Sequence, residues 1–384
     1  LSFPITMFGS IVVVINNLPF FNDATKGTLS TLFGNGQNAT MSIMTVFVTF
    51  GIGYYLSKSY DVEGIFGGAV SFASFLILTP FFMTTESGET ITGVLSLDRL
   101  GAKGMFIGMI AAFLAAEIYC RVTKRGWQIK MPDGVPPAVT KSFAALIPAI
   151  VTLTIFLMIN AIMTGVFHAN LHDVIYELIQ KPLTGLGSSL PATLLALFLV
   201  QFLWFFGLHG QIIVNSVMDP IWNTLMLDNL EAYQNGEALP HIVTKPFMET
   251  FTVGLGGSGM TLAVVILMAF VLKKKQYRDV GRLALAPGIF NVNEPAIFGM
   301  PIVLNATILI PWVVAPLVVT TFNYLVMAAG LVPAPTGVSV PWTVPVIASG
   351  VLATNSWLGG LLQVIDVVLV GVIWYPFLRI LDRQ

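Results

Sequence analysis

Three short groups of residues carry the types and spacing that chemistry requires. The first is GIFNVNEPAIFGMPIV, residues 288–303, where Asn291, Asn293 and Glu294 precede Pro295. Carboxamides donate and accept, and an ionised carboxylate accepts, so the group suits a hydroxyl-bearing ligand. Pro295 predicts extended rather than helical backbone at Glu294, which lets the carboxylate face a cavity. The second is FLWFFGLHGQ, residues 202–211. Gly207 and Gly210 flank His209, so a helix is expected to end there with backbone able to approach a ligand. The third is TKPFMETFTVGLGGSGMTL, residues 244–262, which holds Glu249 and the glycine-rich GLGGSG that includes Gly257 and Ser258. GLGGSG reads either as a re-entrant turn or as tight helix packing. It lacks the lysine and spacing of a phosphate-binding loop.

Aromatics lie near these breaks: Trp204, Trp222, Trp342 and Trp357. Interfacial anchoring is the ordinary role of tryptophan in such a chain, but aromatic faces also stack on sugar rings. Trp342, between two prolines in SVPWTVP, is the best placed for stacking. Carboxylates, amides and aromatics together suit a sugar or polyol better than a bare ion. A histidine and a carboxylate that converge suit proton transfer at a hydroxyl. His209 and Glu294 are therefore the candidate catalytic pair. Gln211, Glu249, Asn291, Asn293, Trp204, Trp342, Gly257 and Ser258 join them as candidate substrate contacts. Asp366, mid-span in QVIDVVLV, is open to helix–helix hydrogen bonding or to transport work. Glu117 falls near a basic end of a span and can reach the interface.

The elements that must position these groups are apolar. Hydrophobic residues make up 55% of the 384, only 10% are charged, and the mean hydropathy is +0.84. A soluble domain carries about 25% charge. Apolar segments fall near 4–20, 41–56, 64–83, 104–122, 143–167, 191–208, 259–272, 302–331 and 358–378. Several approach the roughly 20 residues that span a bilayer, and the alternation of a membrane β-barrel is absent. The chain thus reads as an all-α polytopic membrane protein. Between 209 and 258, between 282 and 301, and from 332 to 356 the apolar pattern breaks. Broken backbone at membrane depth is tolerated only where protein or a water-filled cavity surrounds it, and it points to a transport site. Residues 1–167 are accordingly expected to form a scaffold or dimerisation domain and 191–384 the substrate domain. Residues 168–190 connect them, as an interfacial amphipathic helix or as a plain linker.

Basic clusters at 121–130, 273–282 and the C-terminal tail place those segments, and both termini, on the cytoplasmic side. Loops 22–40 and 84–100 then lie outside. The net charge of −1 implies no nucleic-acid partner. Cys120 stands alone, which excludes a disulfide within these residues or a cysteine metal cluster. His168, His172 and Asp173 have metal-ligand spacing but read more simply as a polar helix start. No metal and no cofactor is expected. No cleavable signal peptide is evident, and the opening Leu1 leaves room for a preceding segment.

ALAPGIFNVNEPAIFGMPIVLN (284–305), FFGLHGQ (205–211), GLGGSGMTLA (254–263) and SVPWTVP (339–345) resemble, in the same order, the membrane-embedded IIC component of bacterial sugar phosphotransferase systems. The lactose/cellobiose/diacetylchitobiose branch is the most similar, and within it the diacetylchitobiose type. The resemblance covers essentially the whole chain. It implies a homodimer in the bacterial cytoplasmic membrane, among membrane lipids, with about ten spanning helices per subunit plus re-entrant hairpins. It also implies elevator-type import of a β-linked disaccharide, phosphorylated at its C6 hydroxyl by the phosphocysteine of a IIB partner, with His209 and Glu294 near that hydroxyl. Cys120, beside a basic span end with no soluble domain around it, is not expected to be that cysteine. A proton- or sodium-coupled secondary sugar transporter would use the same broken helices and buried carboxylates. A membrane-bound lipid transferase would need an acidic metal motif that the membrane region lacks.

Overall fold

The computed structural model describes residues 2–16, 21–84, 89–132, 134–300, 302 and 304–383. The end of the first expected span (17–20) and residues 85–88 of the loop 84–100 lie outside the described residues. The chain divides into two compact units, Leu1–Gly9 with Asn35–Leu183 and Ser10–Gly34 with Thr184–Gln384. Helices α1 (Ser2–Asn16) and α2 (Asp23–Asn38) open the chain. α2 occupies a stretch expected as loop.

The first unit is built on α3 (Met44–Ser59), α4 (Gly64–Leu78), α5 (Leu97–Leu100), α6 (Met105–Lys124) and α7 (Pro137–Gly165). A short antiparallel hairpin, β1 (Phe82–Thr84) with β2 (Thr90–Thr92), sets Met83 opposite Ile91. Its core gathers Phe75, Leu78, Ile107, Ala111, Ala115 and Phe156. α7 starts on Pro137, a favoured first residue because its missing N–H would be unpaired there anyway. Its 29 residues run roughly 44 Å at 1.5 Å each, more than the ~30 Å of a bilayer core. Ile150, Leu157 and Met158 on it are more than half exposed, a surface that fits lipid and not water.

Residues 168–190, open between helix and linker, are helical from Leu171: α8 (Leu171–Ile175), one π turn (Tyr176–Gln180) and α9 (Lys181–Gly187). Asn170 caps α8 by accepting the His172 N–H at 2.9 Å. His172 is buried, with Nε2 3.2 Å from the Arg99 carbonyl, and Asp173 pairs with Arg99 at 3.0 Å. These polar groups are occupied in the way a helix start requires.

The second unit contains α10 (Leu190–Phe205), α11 (Gly210–Gln234), α12 (Lys245–Phe251), α13 (Leu262–Phe270) and α14 (Lys275–Ile289). It continues with α15 (Glu294–Gly299), α16 (Ala306–Ala328), α17 (Ala348–Thr354) and α18 (Trp357–Arg383). α11 lies in a region where the apolar pattern breaks, yet it is a 25-residue helix that buries Trp222, Leu225, Met226 and Leu227. Among the described residues four helices, Ala102–Lys124, Pro137–Gly165, Ala306–Ala328 and Trp357–Arg383, are long and apolar enough to cross a bilayer. Others, such as α4 and α13, are apolar but shorter.

Candidate functional site

Every candidate site residue falls in the second unit. His209 sits between α10 and α11 as the N-cap of α11, where its Nδ1 accepts the Ile212 N–H at 3.3 Å. Gly207 turns the chain at φ +76°. At Gly210 any Cβ would collide with the Val200 carbonyl, so only glycine lets α10 and α11 approach this closely. The exposed imidazole leans on the Trp204 ring, centroids 4.5 Å apart. Because Nδ1 is taken up as an acceptor, the neutral ring carries its proton on Nε2, assigned from this hydrogen bond.

Glu294 was expected on extended backbone; the structure instead makes it the first residue of α15, with Asn293 as N-cap. The reason is positional. Proline is tolerated in the first helical turn, where its missing N–H breaks no intrahelical bond. The Glu294 carboxylate is exposed, and no residue bonds or pairs with it among the described contacts.

The two asparagines tie the broken segments together. Asn291, buried and at φ +64°, accepts the Gly256 N–H at 2.8 Å. Its amide donates to the Trp342 carbonyl at 2.5 Å and the Val344 carbonyl at 3.1 Å. Asn293 donates to the Ser258 carbonyl at 2.7 Å. The Ser258 hydroxyl donates to Gln211 Oε1 at 3.2 Å, and the Gln211 amide donates to Asn215 at 2.9 Å. A chain of bonds thus runs from the residue beside Glu294, through the glycine-rich turn, to Gln211 two residues from His209. GLGGSG itself is a buried turn between α12 and α13. Gly257, at φ +80°, lies against the Asn293 side chain, where a Cβ would collide. Trp342 is 41% exposed and anchored through its own carbonyl.

Glu249, on α12, is not a lone carboxylate. Lys245, one turn earlier, reaches Glu249 at 2.7 Å and Asp219 of α11 at 2.7 Å. Lys245 and Asp219 escaped the sequence analysis. The i, i+4 spacing of Lys245 and Glu249 on a helix is a readable signal; the Asp219 contact is tertiary and leaves none. Gln201 was also missed. It is buried mid-helix in α10 and lines a narrow crevice with Gln211, Ser258 and Gly259. Asp366 is fully buried and hydrogen-bonded to Asn323 of α16 at 2.9 Å, which is the helix–helix pairing that the sequence left open. In the first unit Glu117 accepts from Tyr60 at 2.6 Å and pairs with Arg121. Cys120 is buried beside Ser57.

The apolar helices and the polar-stitched broken segments define an all-α membrane protein of the solute-transporter class. A family model described as phosphotransferase system, EIIC, matches residues 1–316. The oligo-beta-mannoside-specific EIIC component of Bacillus subtilis (strain 168) is 60% identical over 387 residues, covering 100% of this chain and 88% of that protein. The cellobiose-specific EIIC component of Geobacillus stearothermophilus is 40% identical over 403 residues, covering 100% and 88%. The crystal structure of ChbC, the IIC component from the N,N'-diacetylchitobiose-specific phosphotransferase system, superposes with a TM-score of 0.93 at 39% identity, covering 100% of this chain and 91% of that one. The chain belongs to the phosphotransferase-system EIIC family.

Proposed function

We propose that this chain imports a β-linked disaccharide or short oligosaccharide and presents its C6 hydroxyl to a phosphorylated IIB partner. The relatives are named for oligo-β-mannoside, cellobiose and diacetylchitobiose, sugars that share a β linkage. The sequence alone favoured diacetylchitobiose; the 60% identical relative adds β-mannosides to the candidates. The observation that carries the reading is the bonded path Gln211–Ser258–Asn293, which ties the segment bearing His209 to the segment bearing Glu294.

The chemistry divides between the two residues. His209, with Nδ1 engaged, offers Nε2–H to the oxygen of the hydroxyl. Glu294, an acceptor with no competing partner among the described residues, takes the hydroxyl proton as the oxygen attacks phosphorus. The P–S bond to the IIB cysteine breaks, and the thiolate leaves. General-base help of this kind contributes about 10²- to 10⁴-fold. Trp342 stacks on the sugar, Gln211, Glu249 and Ser258 reach it with polar groups, and the buried Trp204, Asn291, Asn293 and Gly257 hold these groups and His209 in place. The added phosphate charge weakens binding among these carboxylates and favours release inward. Residues 191–384 act as the moving substrate domain, in an elevator-type motion, and residues 1–167 as the scaffold of a homodimer with cytoplasmic termini.

The test is phosphoryl-donor dependence in membrane vesicles. Sugar phosphate forms inside only when phosphorylated IIB is supplied. Accumulation of unmodified sugar on a proton or sodium gradient would overturn the reading in favour of a symporter.

A further inference from the structure

Asp366 in α18 and Asn323 in α16 are both fully buried. The Asn323 amide donates to Asp366 Oδ2 at 2.9 Å and to the Phe251 carbonyl at 3.3 Å. The two remaining oxygens, Asp366 Oδ1 and Asn323 Oδ1, are buried and meet no donor among the described residues. An ionised carboxylate has only acceptors to offer. With Asp366 charged, two buried acceptors stay unmatched and one of them shares a full charge, a costly state in an apolar interior. A single proton on Asp366 removes the charge and supplies the missing donor.

We propose that Asp366 carries that proton on Oδ1, taken up from solvent, and forms a two-bond acid–amide pair with Asn323. Asn323 Nδ2–H bonds Asp366 Oδ2, and Asp366 Oδ1–H bonds Asn323 Oδ1. The pair makes Asp366 a positioning residue for α12. A helix leaves its last carbonyls without intrahelical donors, and α12 ends in buried surroundings at Phe251. Asn323 caps the Phe251 carbonyl, and Gln363, one turn before Asp366 on α18, caps the Thr250 carbonyl at 2.8 Å. Gln363 Oε1 also accepts the N–H groups of Ile347 and Gly350 at the start of α17, both at 2.8 Å. Were the Asn323 amide to flip, its oxygen would face the Phe251 carbonyl. The acid–amide pair forbids the flip and so fixes the end of the helix that carries Lys245 and Glu249. This role rests on the reading of Glu249 as a sugar contact; the proton assignment does not.

Two measurements on the purified full chain test the two parts separately. Infrared difference spectra of wild type against Asp366→Asn, at neutral pH, are expected to show a protonated carboxyl C=O stretch that shifts in D2O and is missing from the variant. Absence of the band overturns the proton. Asp366→Asn replaces the O–H donor with N–H and is expected to bind sugar within twofold of wild type, whereas Asp366→Ala binds at least tenfold more weakly. Loss in Asp366→Asn equal to that in Asp366→Ala would mean the charge is required, for instance to hold a cation, and would also overturn the proton. Wild-type sugar affinity in folded Asp366→Ala, with only a lowered unfolding temperature, would overturn the positioning role. Asp366→Ser takes its place in that comparison if Asp366→Ala does not fold. A wild type that shows the band but forms no sugar phosphate with phosphorylated IIB would count against the functional reading and leave the proton standing.

Discussion

Helices α3, α4 and α6 of the first unit and the segments from α12 to α17 of the second both bury backbone in apolar surroundings, by opposite means. In the first, intact helices satisfy their own backbone and pack through small residues. A Cβ at Gly67 would collide with the Ser57 hydroxyl, one at Gly53 with Ser71, and one at Gly108 with the Thr45 methyl. Small residues of this kind let helix backbones approach closely. In the second, irregular segments alternate with short helices such as α12, α15 and α17, and side-chain amides reach across long stretches of sequence to the freed backbone groups. Asn229 bonds the His241 and Pro335 carbonyls, both at 2.7 Å. Asn291, Asn293, Asn323 and Gln363 do the same elsewhere in that unit. Close packing tolerates little change of shape. Amide staples hold irregular backbone in place, and in the proposed function that backbone carries His209 and Glu294.

If that contrast holds, substitutions in the two regions fail in different ways. The largest effect is expected at His209→Asn. Asparagine is a good N-cap, so α11 is preserved while the Nε2–H donor is lost. Sugar-phosphate formation should fall about 10²- to 10³-fold, as on removal of one preorganised donor, with sugar affinity changed far less, as measured by phosphorylation rate and equilibrium binding. Next comes Asn291→Ala, which unmakes three bonds at once and, while the Gly256 N–H keeps the Val253 carbonyl, leaves the Trp342 and Val344 carbonyls without their donor, at roughly 1–3 kcal/mol each. Its thermal unfolding should be lowered and its sugar affinity reduced together, because the same residue anchors the Trp342 segment. Gly67→Val should cost about 1–3 kcal/mol through overpacking yet leave the sugar affinity of the folded fraction unchanged. A fall in that affinity would erase the distinction drawn between the regions. The smallest effect is expected at Asp173→Asn. Asp173 is 57% exposed where it meets Arg99, and such pairs contribute about 0–1 kcal/mol, so the unfolding temperature should barely move.

The breaks were legible in the sequence because Gly, Pro and Asn in an apolar chain have few other uses. GIFNVNEPAIFG and GLGGSG announced irregular backbone, and their order and wording matched a known family. What those residues bond to was less legible. Asn291 reads equally well as a ligand donor and as a staple, and only the positions of Trp342, Val344 and Gly256 show its amide committed to protein. α11 was hidden because Asn215, Asp219, Pro220, Asp228 and Asn229 dilute its apolar stripe. Asp219, Asp228 and Asn229 are spent on tertiary bonds to Lys245 and His241, which no local pattern encodes. Glu294 was misplaced by treating the pre-proline preference as absolute, when it biases the backbone without forbidding the first helical position.

Glu294→Gln tests the account most directly, because the change is nearly isosteric, exposed, and breaks no bond observed in the structure. With phosphorylated IIB and a β-linked disaccharide, the purified variant should still bind the sugar but form sugar phosphate at a rate lower by about two orders of magnitude or more. Wild-type phosphorylation by the variant would contradict the assignment of Glu294 as the base.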